Sequence, residues 1–112
     1  MVQMSRVYSH PKRSEVSLER VLFALSDPIR LNTVRMLAST KRVNSLSLGP
    51  GMPRSTITHH TRILREAGLT RTMPEGRNCW ISLRRNLLSD KFPGLLEIIL
   101  KDQNLASDAN SN

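Results

Sequence analysis

Cysteine and long hydrophobic runs are scarce in this sequence, and each shortage excludes a class of protein. Cys79 is the one cysteine among 112 residues, so an internal disulfide is excluded. No apolar run approaches the roughly 20 residues that a membrane-spanning helix needs. The first residues, Met-Val-Gln-Met-Ser-Arg-Val, lack the apolar core of a signal peptide. We therefore expect a cytoplasmic protein with no membrane partner.

Residues that enzymes and metal sites use are also few. The histidines are His10, His59 and His60, and no nucleophile, base and orienting residue stand in a recognisable arrangement. No glycine-rich phosphate loop follows a strand. A lone Cys79 cannot form a soft-metal site. We expect no catalysis and no bound cofactor or metal.

Acidic residues are outnumbered, with 9 Asp and Glu against 17 Lys and Arg, for a net charge of +8. Between residues 30 and 85 the acids are Glu66 and Glu75 alone. The basic residues of the same stretch are Arg30, Arg35, Lys41, Arg42, Arg54, Arg62, Arg65, Arg71, Arg77, Arg84 and Arg85. An anionic membrane surface would also fit a positive charge, but no segment has a basic amphipathic pattern. The distribution indicates a nucleic-acid partner.

The length of the chain indicates one small domain with a limited core, for which association with a partner would be favourable. Residues 1–14 show no periodicity and are predicted to form a flexible arm, which either touches DNA phosphates or is simply disordered. The domain is predicted to span residues 15–102. Residues 103–112 are predicted to be a polar tail.

Two helices are predicted at the start of this domain. Between residues 15 and 26, one apolar face is formed by Leu18, Val21, Leu22 and Leu25. Phe23 lies off that face and is a candidate for a second contact surface. Asp27 is the predicted N-cap of a second helix, with Pro28 at its first position. That helix is predicted to run to about Ser39, with Arg30 and Arg35 facing outward.

Residues 40–53 are unlike a regular helix. Two glycines and two prolines stand between residues 49 and 53, which leaves at most a turn or two of helix around residues 44–48.

The chain is organised around a helix predicted from Met52 to Gly68, where Gly68 is the stop signal. Its inner sector consists of Ile57, Thr61, Leu64 and Gly68. The opposite face carries Ser55, Thr58, His59, Arg62 and Glu66. Such a polar face suits hydrogen bonds to base edges and phosphates, although a solvated surface would look the same on a lone helix.

A β-hairpin is predicted directly after this helix. Two β-prone runs, residues 69–73 and 78–83, flank the turn sequence Pro-Glu-Gly-Arg. Alternation places Cys79 with Ile81 on one face, which favours a small core residue over a reactive thiol. Trp80 lies on the other face. It could pack on a partner subunit, stack on DNA or cover its own hairpin, and we favour packing.

A final helix is predicted to begin near Phe92, after a polar bridge. Its apolar residues, at positions 95, 96, 98, 99 and 100, cover more than one face. A short helix that is hydrophobic nearly all round must be buried on two sides. The domain itself covers one side and a second copy would cover the other, which predicts a homodimer. The expected dimerisation residues are Leu18, Leu22, Phe23, Leu95, Leu96 and Ile99.

The order of these motifs is that of a winged helix-turn-helix, and three of them resemble the ArsR family of bacterial transcriptional regulators. They are Ala-Leu-Ser-Asp-Pro-Ile-Arg-Leu at 24–31, Ser-Thr-Ile-Thr-His-His-Thr-Arg-Ile-Leu-Arg-Glu-Ala-Gly-Leu at 55–69, and Glu-Gly-Arg at 75–77. The resemblance covers roughly residues 15 to 100. It implies a mainly α fold with a small β-hairpin, in the order α-α-α-α-β-β-α. Family members usually have a full helix where residues 40–53 stand, and this chain departs there.

The resemblance also implies which residues contact DNA. It assigns base contacts to Arg54, Ser55, Thr58 and His59. Arg62 and the N-terminus of the same helix are expected to hold phosphates, and Arg77 at the hairpin tip to reach the neighbouring minor groove. His60, beside the apolar sector, is expected to be structural.

Many relatives in that family sense metals through paired cysteines near the positioning helix, or through Asp/His and His/Glu pairs on the last helix. This chain has Asn-Ser-Leu-Ser-Leu at 44–48 and no histidine after residue 60, so it lacks both ligand sets. A small-molecule or redox effector stays open.

The predicted function is a transcriptional regulator, a repressor, that binds a palindromic operator in double-stranded DNA as a homodimer. The alternative is a winged-helix interaction module that binds another protein through the apolar final helix and Trp80. Salt-dependent binding to duplex DNA separates the two.

Overall fold

Five α-helices and a three-stranded sheet form the part of the chain that this computed structural model describes, the backbone of residues 7–110 and the side chains of residues 7–102. The helices are α1 (Leu18–Leu25), α2 (Pro28–Ala38), α3 (Arg54–Ala67), α4 (Arg85–Lys91) and α5 (Leu95–Asn110). The strands are β1 (Val43–Asn44), β2 (Thr70–Glu75) and β3 (Asn78–Leu83). The predicted winged helix-turn-helix fold is confirmed.

Side-chain caps start the first two helices. The Ser17 hydroxyl accepts a hydrogen bond from the Arg20 amide at 3.2 Å. The Asp27 carboxylate accepts from the amides of Ile29 and Arg30 at 2.8 and 3.2 Å, and Pro28 occupies the first turn of α2. These bonds satisfy amides that have no partner within the helix. The predicted start of the second helix is confirmed.

Helix α3 lies with its inner face in the core. Its buried residues are Ile57, Thr61, Leu64 and Ala67. Gly68 ends the helix at φ 91°, and Val16 packs so closely against it that a Cβ at this position would collide with the valine side chain. The predicted inner sector and stop signal of this helix are therefore confirmed.

The sheet is antiparallel in the order β1-β3-β2. Strands β2 and β3 form the predicted hairpin, called here the wing, with Thr72 opposite Ile81 and Glu75 opposite Asn78. Gly76 supplies the positive φ of 63° that the tight turn requires. The short strand β1 was not predicted. It pairs with β3 through Val43, and a single 3-10 turn, Ser45–Ser47, follows it where at most a turn or two of helix was expected.

Two boundaries near the C-terminus differ from the prediction. The expected polar bridge contains helix α4, because Leu88 is fully buried and anchors this short segment to the core. Helix α5 continues to Asn110, so residues 103–110 of the predicted tail belong to this helix. Residues 111 and 112 of that tail lie outside the described residues.

Among the described residues, no helix combines the length and apolarity that crossing a membrane requires.

Arg30 does not face outward as predicted but is buried, with 6% of its surface exposed. Its Nε donates to the Ala24 carbonyl oxygen at 2.7 Å, and its NH1 donates to His60 Nδ1 at 3.2 Å. The guanidinium also lies 5.6 Å from the centre of the Phe23 ring. Arg30 therefore joins α1, α2 and α3, because its polar end finds acceptors there.

The described part of the predicted arm, residues 7–14, is held against the domain. His10 accepts a hydrogen bond from the Thr72 amide, and the Pro11 carbonyl accepts one from Arg84. The arm was predicted to be flexible, and in the structure partners far along the chain bond to His10 and Pro11. Residues 1–6 of the arm lie outside the described residues.

Candidate nucleic-acid interface

The outer face of α3 is exposed along its length. Ser55, Thr58, His59 and Arg62 are all exposed, and their side chains are hydroxyls, an imidazole and a guanidinium that donate or accept hydrogen bonds. Pro53 precedes the helix and offers no side-chain cap, so no side chain occupies the amides of the first turn. Amides at a helix N-terminus bind phosphates well, because they combine free N–H groups with the positive end of the helix dipole.

A cleft of about 360 Å³ separates α3 from the wing. It brings together four of the six predicted DNA contacts, namely Arg54, Thr58, Arg62 and Arg77. Ser55 and His59 do not line it and lie on the exposed side of the helix. The geometry thus divides the predicted contacts into a group facing the cleft and a pair on the outer surface.

The electrostatics of this cleft are one-sided. Arg65 lines it together with three of the arginines named above, and no acidic residue is among the described residues that form its walls. Four guanidinium groups around one opening create a strongly positive potential, which attracts phosphate groups and favours a polyanion. Arg65 and Tyr8 were missed as cleft residues, because their positions follow from contacts between segments far apart in sequence.

The wing carries its own cluster of polar and aromatic side chains. The guanidinium of Arg42 lies 4.0 Å from the centre of the Trp80 ring. Trp80 Nε1 donates to Glu75 Oε1 at 3.2 Å, and Arg42 lies 3.8 Å from the same oxygen. Trp80 is therefore half-buried on its own hairpin, one of the three arrangements left open above. Arg77, at the turn, is exposed and also lines the cleft.

The two adjacent histidines of α3 have different surroundings. Their rings are 5.4 Å apart, but His60 is half-buried and accepts the hydrogen bond from Arg30. His59 is exposed on the outer face. The structural role expected for His60 agrees with these contacts, and His59 is the histidine that a ligand can reach.

Cys79 is half-buried rather than in the core, and its Sγ lies 3.8 Å from the Tyr8 hydroxyl. Within the part of the chain that the structure describes, no three His, Cys, Asp or Glu side chains come together in an arrangement that could hold a metal ion.

The residues predicted for dimerisation fall into two groups. Leu18, Leu22 and Phe23 on α1 are exposed, with 46, 51 and 62% of their surfaces accessible. Leu95 and Leu96 are half-buried against the core. Ile99 was wrongly placed at a dimer surface, because it is 5% exposed and packs inside its own subunit. Its neighbour Ile98, with 66% exposed, points outward, and Leu100 is also exposed, a difference from Ile99 that the sequence pattern did not show.

Comparison with known proteins supports the fold. The chain is 35% identical over 92 residues to an uncharacterised HTH-type transcriptional regulator, YceK, of Bacillus subtilis (strain 168), covering 79% of this chain and 92% of that protein. It is similar to the structure of an ArsR-like transcriptional regulator from Rhodococcus sp. RHA1, with 26% identity, a TM-score of 0.58, and coverage of 83% of this chain and 90% of that one. HlyU from Vibrio cholerae N16961 shares the fold, with 21% identity, a TM-score of 0.62, and coverage of 74% and 87%. No family model matches the sequence.

Proposed function

We propose that this chain, which belongs to the ArsR family of winged helix-turn-helix transcriptional regulators, represses transcription by binding a palindromic operator in double-stranded DNA as a homodimer. The observation that carries the proposal is the cleft between α3 and the wing, with four arginines in its walls. A DNA-binding repressor acts on the chromosome, so we place it in the bacterial cytoplasm.

In this proposal α3 enters the major groove and reads base edges. Arg54 is suited to a guanine, since a guanidinium donates two parallel hydrogen bonds to guanine O6 and N7. The methyl group of Thr58 is suited to a thymine methyl, and the exposed His59 and Ser55 to hydrogen bonds with neighbouring bases. All four side chains are exposed, so none has to leave the core to reach DNA.

Contacts to the backbone would fix the position of the helix. Arg62 lies one turn beyond Thr58 and faces the cleft, where a phosphate would pass. The amides of Arg54 and Ser55, at the start of α3, would hold a second phosphate. Arg77, at the exposed tip of the wing, would reach the adjacent minor groove.

Dimerisation is supported by apolar surface that the subunit leaves uncovered. Leu18, Leu22 and Phe23 are exposed on one eight-residue helix, and Ile98 is exposed on α5. Large apolar side chains left exposed on a small domain are candidates for a protein interface. Two-fold symmetry would then present two copies of α3 to half-sites about 10–11 base pairs apart.

Replacing Ile98 by Glu tests the dimer. In a two-fold interface the substitution occurs twice, and each copy would place an unpaired charge in an apolar contact. We expect a dimer mass for the wild type and a monomer mass for Ile98→Glu by light scattering at micromolar concentration. Met73→Glu, at an exposed position on the wing, is the matched control and should stay dimeric. A monomeric wild type would contradict the proposal.

DNA binding itself is tested by selecting duplexes from a random library and measuring affinity by fluorescence anisotropy at several salt concentrations. We expect enrichment of a two-fold symmetric motif and an affinity that falls steeply with salt. If no motif is enriched and binding to duplex DNA is absent, the interaction-module alternative replaces this proposal. The selected duplex also allows a search for a small-molecule or redox effector that releases it.

A further inference from the structure

The segment before α1 lies across the boundary between the wing and α3. The Thr72 amide donates to His10 Nε2 at 3.0 Å, and Arg84 donates to the Pro11 carbonyl oxygen at 2.9 Å. Tyr8, two residues before His10, lines the cleft between α3 and the wing. Residues 8–13, called here the clasp, therefore pass the edge of β2, where His10 accepts the hydrogen bond from Thr72.

His10 occupies a position where a hydrogen-bond partner is required. In the order β1-β3-β2, strand β2 is at the edge of the sheet, so its outward amides have no strand to bond. Thr72 is buried, with 4% of its surface exposed, and an unpaired amide there would be costly. The His10 ring supplies the acceptor across 62 residues of sequence.

Tyr8 contacts both walls of the cleft. The Arg65 guanidinium of α3 lies 4.8 Å from the centre of its ring, within the range of a cation–π interaction. Its hydroxyl lies 3.8 Å from Cys79 Sγ on β3. The Tyr8 side chain thus links α3 to β3 of the wing.

The other end of the clasp is anchored to the domain. Lys91 of α4 donates to the carbonyl oxygens of Arg13 and Val16, and Arg13 also pairs with Asp90 at 3.1 Å. Val16 is buried, with 3% exposed, and packs against the end of α3 at Gly68. The C-terminal end of the clasp is therefore anchored at the core. From there the clasp extends to the wing, which His10 and Tyr8 contact.

We propose that Tyr8 and His10 are positioning residues, which hold the wing at a fixed distance from α3 so that Arg77 and Arg54 reach the same duplex together. This inference rests on the proposed function in DNA binding. Strand β1 pairs with the wing on its β3 side, whereas the β2 side has no strand beside it. The wing is exposed from Met73 to Asn78, so contacts at the β2 edge contribute to where its tip lies.

The protonation state of His10 agrees with this role. Nε2 accepts a hydrogen bond only while it carries no proton. Burial, and after it the positive charges of Arg71, Arg84 and Arg65, lower the pKa of His10 from its ordinary value of 6.5. The neutral ring is therefore the stable form at pH 7, and acid both removes the acceptor and adds a cation beside three arginines.

The test is a double-mutant cycle on the full chain, measured by fluorescence anisotropy with the duplex that the wild type selects from a random library. His10→Ala should weaken binding about 3- to 10-fold, the range that one hydrogen bond supports. In an Arg77→Ala background the same change should have almost no effect, because the wing contact is already lost. In an Arg54→Ala background the losses should multiply.

His10→Gln is the matched control, because its amide oxygen can accept the same bond without titrating. It should bind like the wild type at pH 7.5 and better than the wild type at about pH 5, below the ordinary range of histidine. His59 and His60 are present in both proteins, so a difference between the two belongs to position 10. This comparison also decides the matter if His10→Ala fails to fold.

A second measurement uses the fluorescence of Trp80, the one tryptophan, which reports motion of the wing. The decay of its fluorescence anisotropy should be faster in His10→Ala and in Tyr8→Ala, and unchanged in His10→Gln. The inference is overturned if His10→Ala loses the same affinity with and without Arg77, or if His10→Gln and the wild type respond identically to acid. A wild type that binds no duplex would instead contradict the proposed function.

Discussion

Helix α3 and the wing face the same cleft but are anchored in different ways. Helix α3 buries four side chains in the core along one face, including Leu64, which is fully buried. The wing buries its base, where Thr72 and Ile81 lie opposite each other, and is exposed from Met73 to Asn78. Its further support consists of the pairing of β3 with β1, the hydrogen bond from Asn44 to Asn78 at 2.9 Å, and the hydrogen bond from the Thr72 amide to His10 of the clasp.

In the proposed function, this difference in anchoring corresponds to two tasks on DNA. An element that must read bases has to be held within a fraction of an ångström, and packing in a dense core achieves that. An element that contacts the backbone must be in reach of the duplex but does not select its sequence, since phosphate contacts bear no sequence information. The contrast predicts that substitutions in α3 change which sequence is bound and substitutions in the wing change how tightly.

The largest effect is expected from the anchor of α3. Leu64→Ala should lower the free energy of unfolding by about 2–5 kcal/mol, through lost burial and the cavity left behind. Met73→Ala on the wing, where 55% of the side chain is exposed, should stay within about 0.5 kcal/mol of the wild type. Urea unfolding compares the two. Equal losses would show that the wing is as firmly packed as the helix.

Arg54→Ala should have the next largest effect, this time on DNA. We expect a loss of about 1–3 kcal/mol in binding and a relaxed preference at one position of each half-site. A repeated selection from a random library measures the preference, and anisotropy measures the affinity. If both stay as in the wild type, Arg54 does not read a base and the reading face has been misplaced.

Arg77→Ala should have a smaller and different effect. Loss of one backbone contact should weaken all duplexes similarly and lower the slope of log affinity against log salt by about 1. The selected motif should be unchanged. A motif that loses specificity at its flanks would instead give the wing a role in reading sequence.

The smallest effect is expected from metals. Because Cys79 is the one thiol and no metal-binding group of three side chains occurs among the described residues, zinc and arsenite at micromolar concentration should leave the protein–DNA complex intact. Anisotropy during a metal titration measures this. DNA release that Cys79→Ser abolishes would make Cys79 a sensor, next to Tyr8 in the cleft.

Local patterns were sufficient to predict α3. The spacing of Ile57, Thr61 and Leu64 identified its buried face, and Gly68 identified its end, because both depend on residues a few positions apart. The cap at Asp27 was predictable for the same reason. Most of the helices and strands follow from such patterns between residues that are close in sequence.

The surroundings of the wing could not be predicted in that way. Tyr8 and Cys79 meet across 71 residues, and Pro11 and Arg84 across 73. Nothing in a polar arm without periodicity indicates which edge it will cover. Arg30 was misplaced for a related reason, since its burial depends on acceptors that α1 and α3 supply only after the chain has folded.

Hydroxyl-radical footprinting on the selected duplex tests the central claim most directly, that α3 reads the major groove and the wing holds the flanking minor groove. We predict two symmetric protected regions whose centres are about 10–11 base pairs apart, each with an outer flank. Arg77→Ala should remove the flanks alone, and Arg54→Ala should weaken the centres. A single asymmetric footprint, or loss of the centres in Arg77→Ala, would contradict the account.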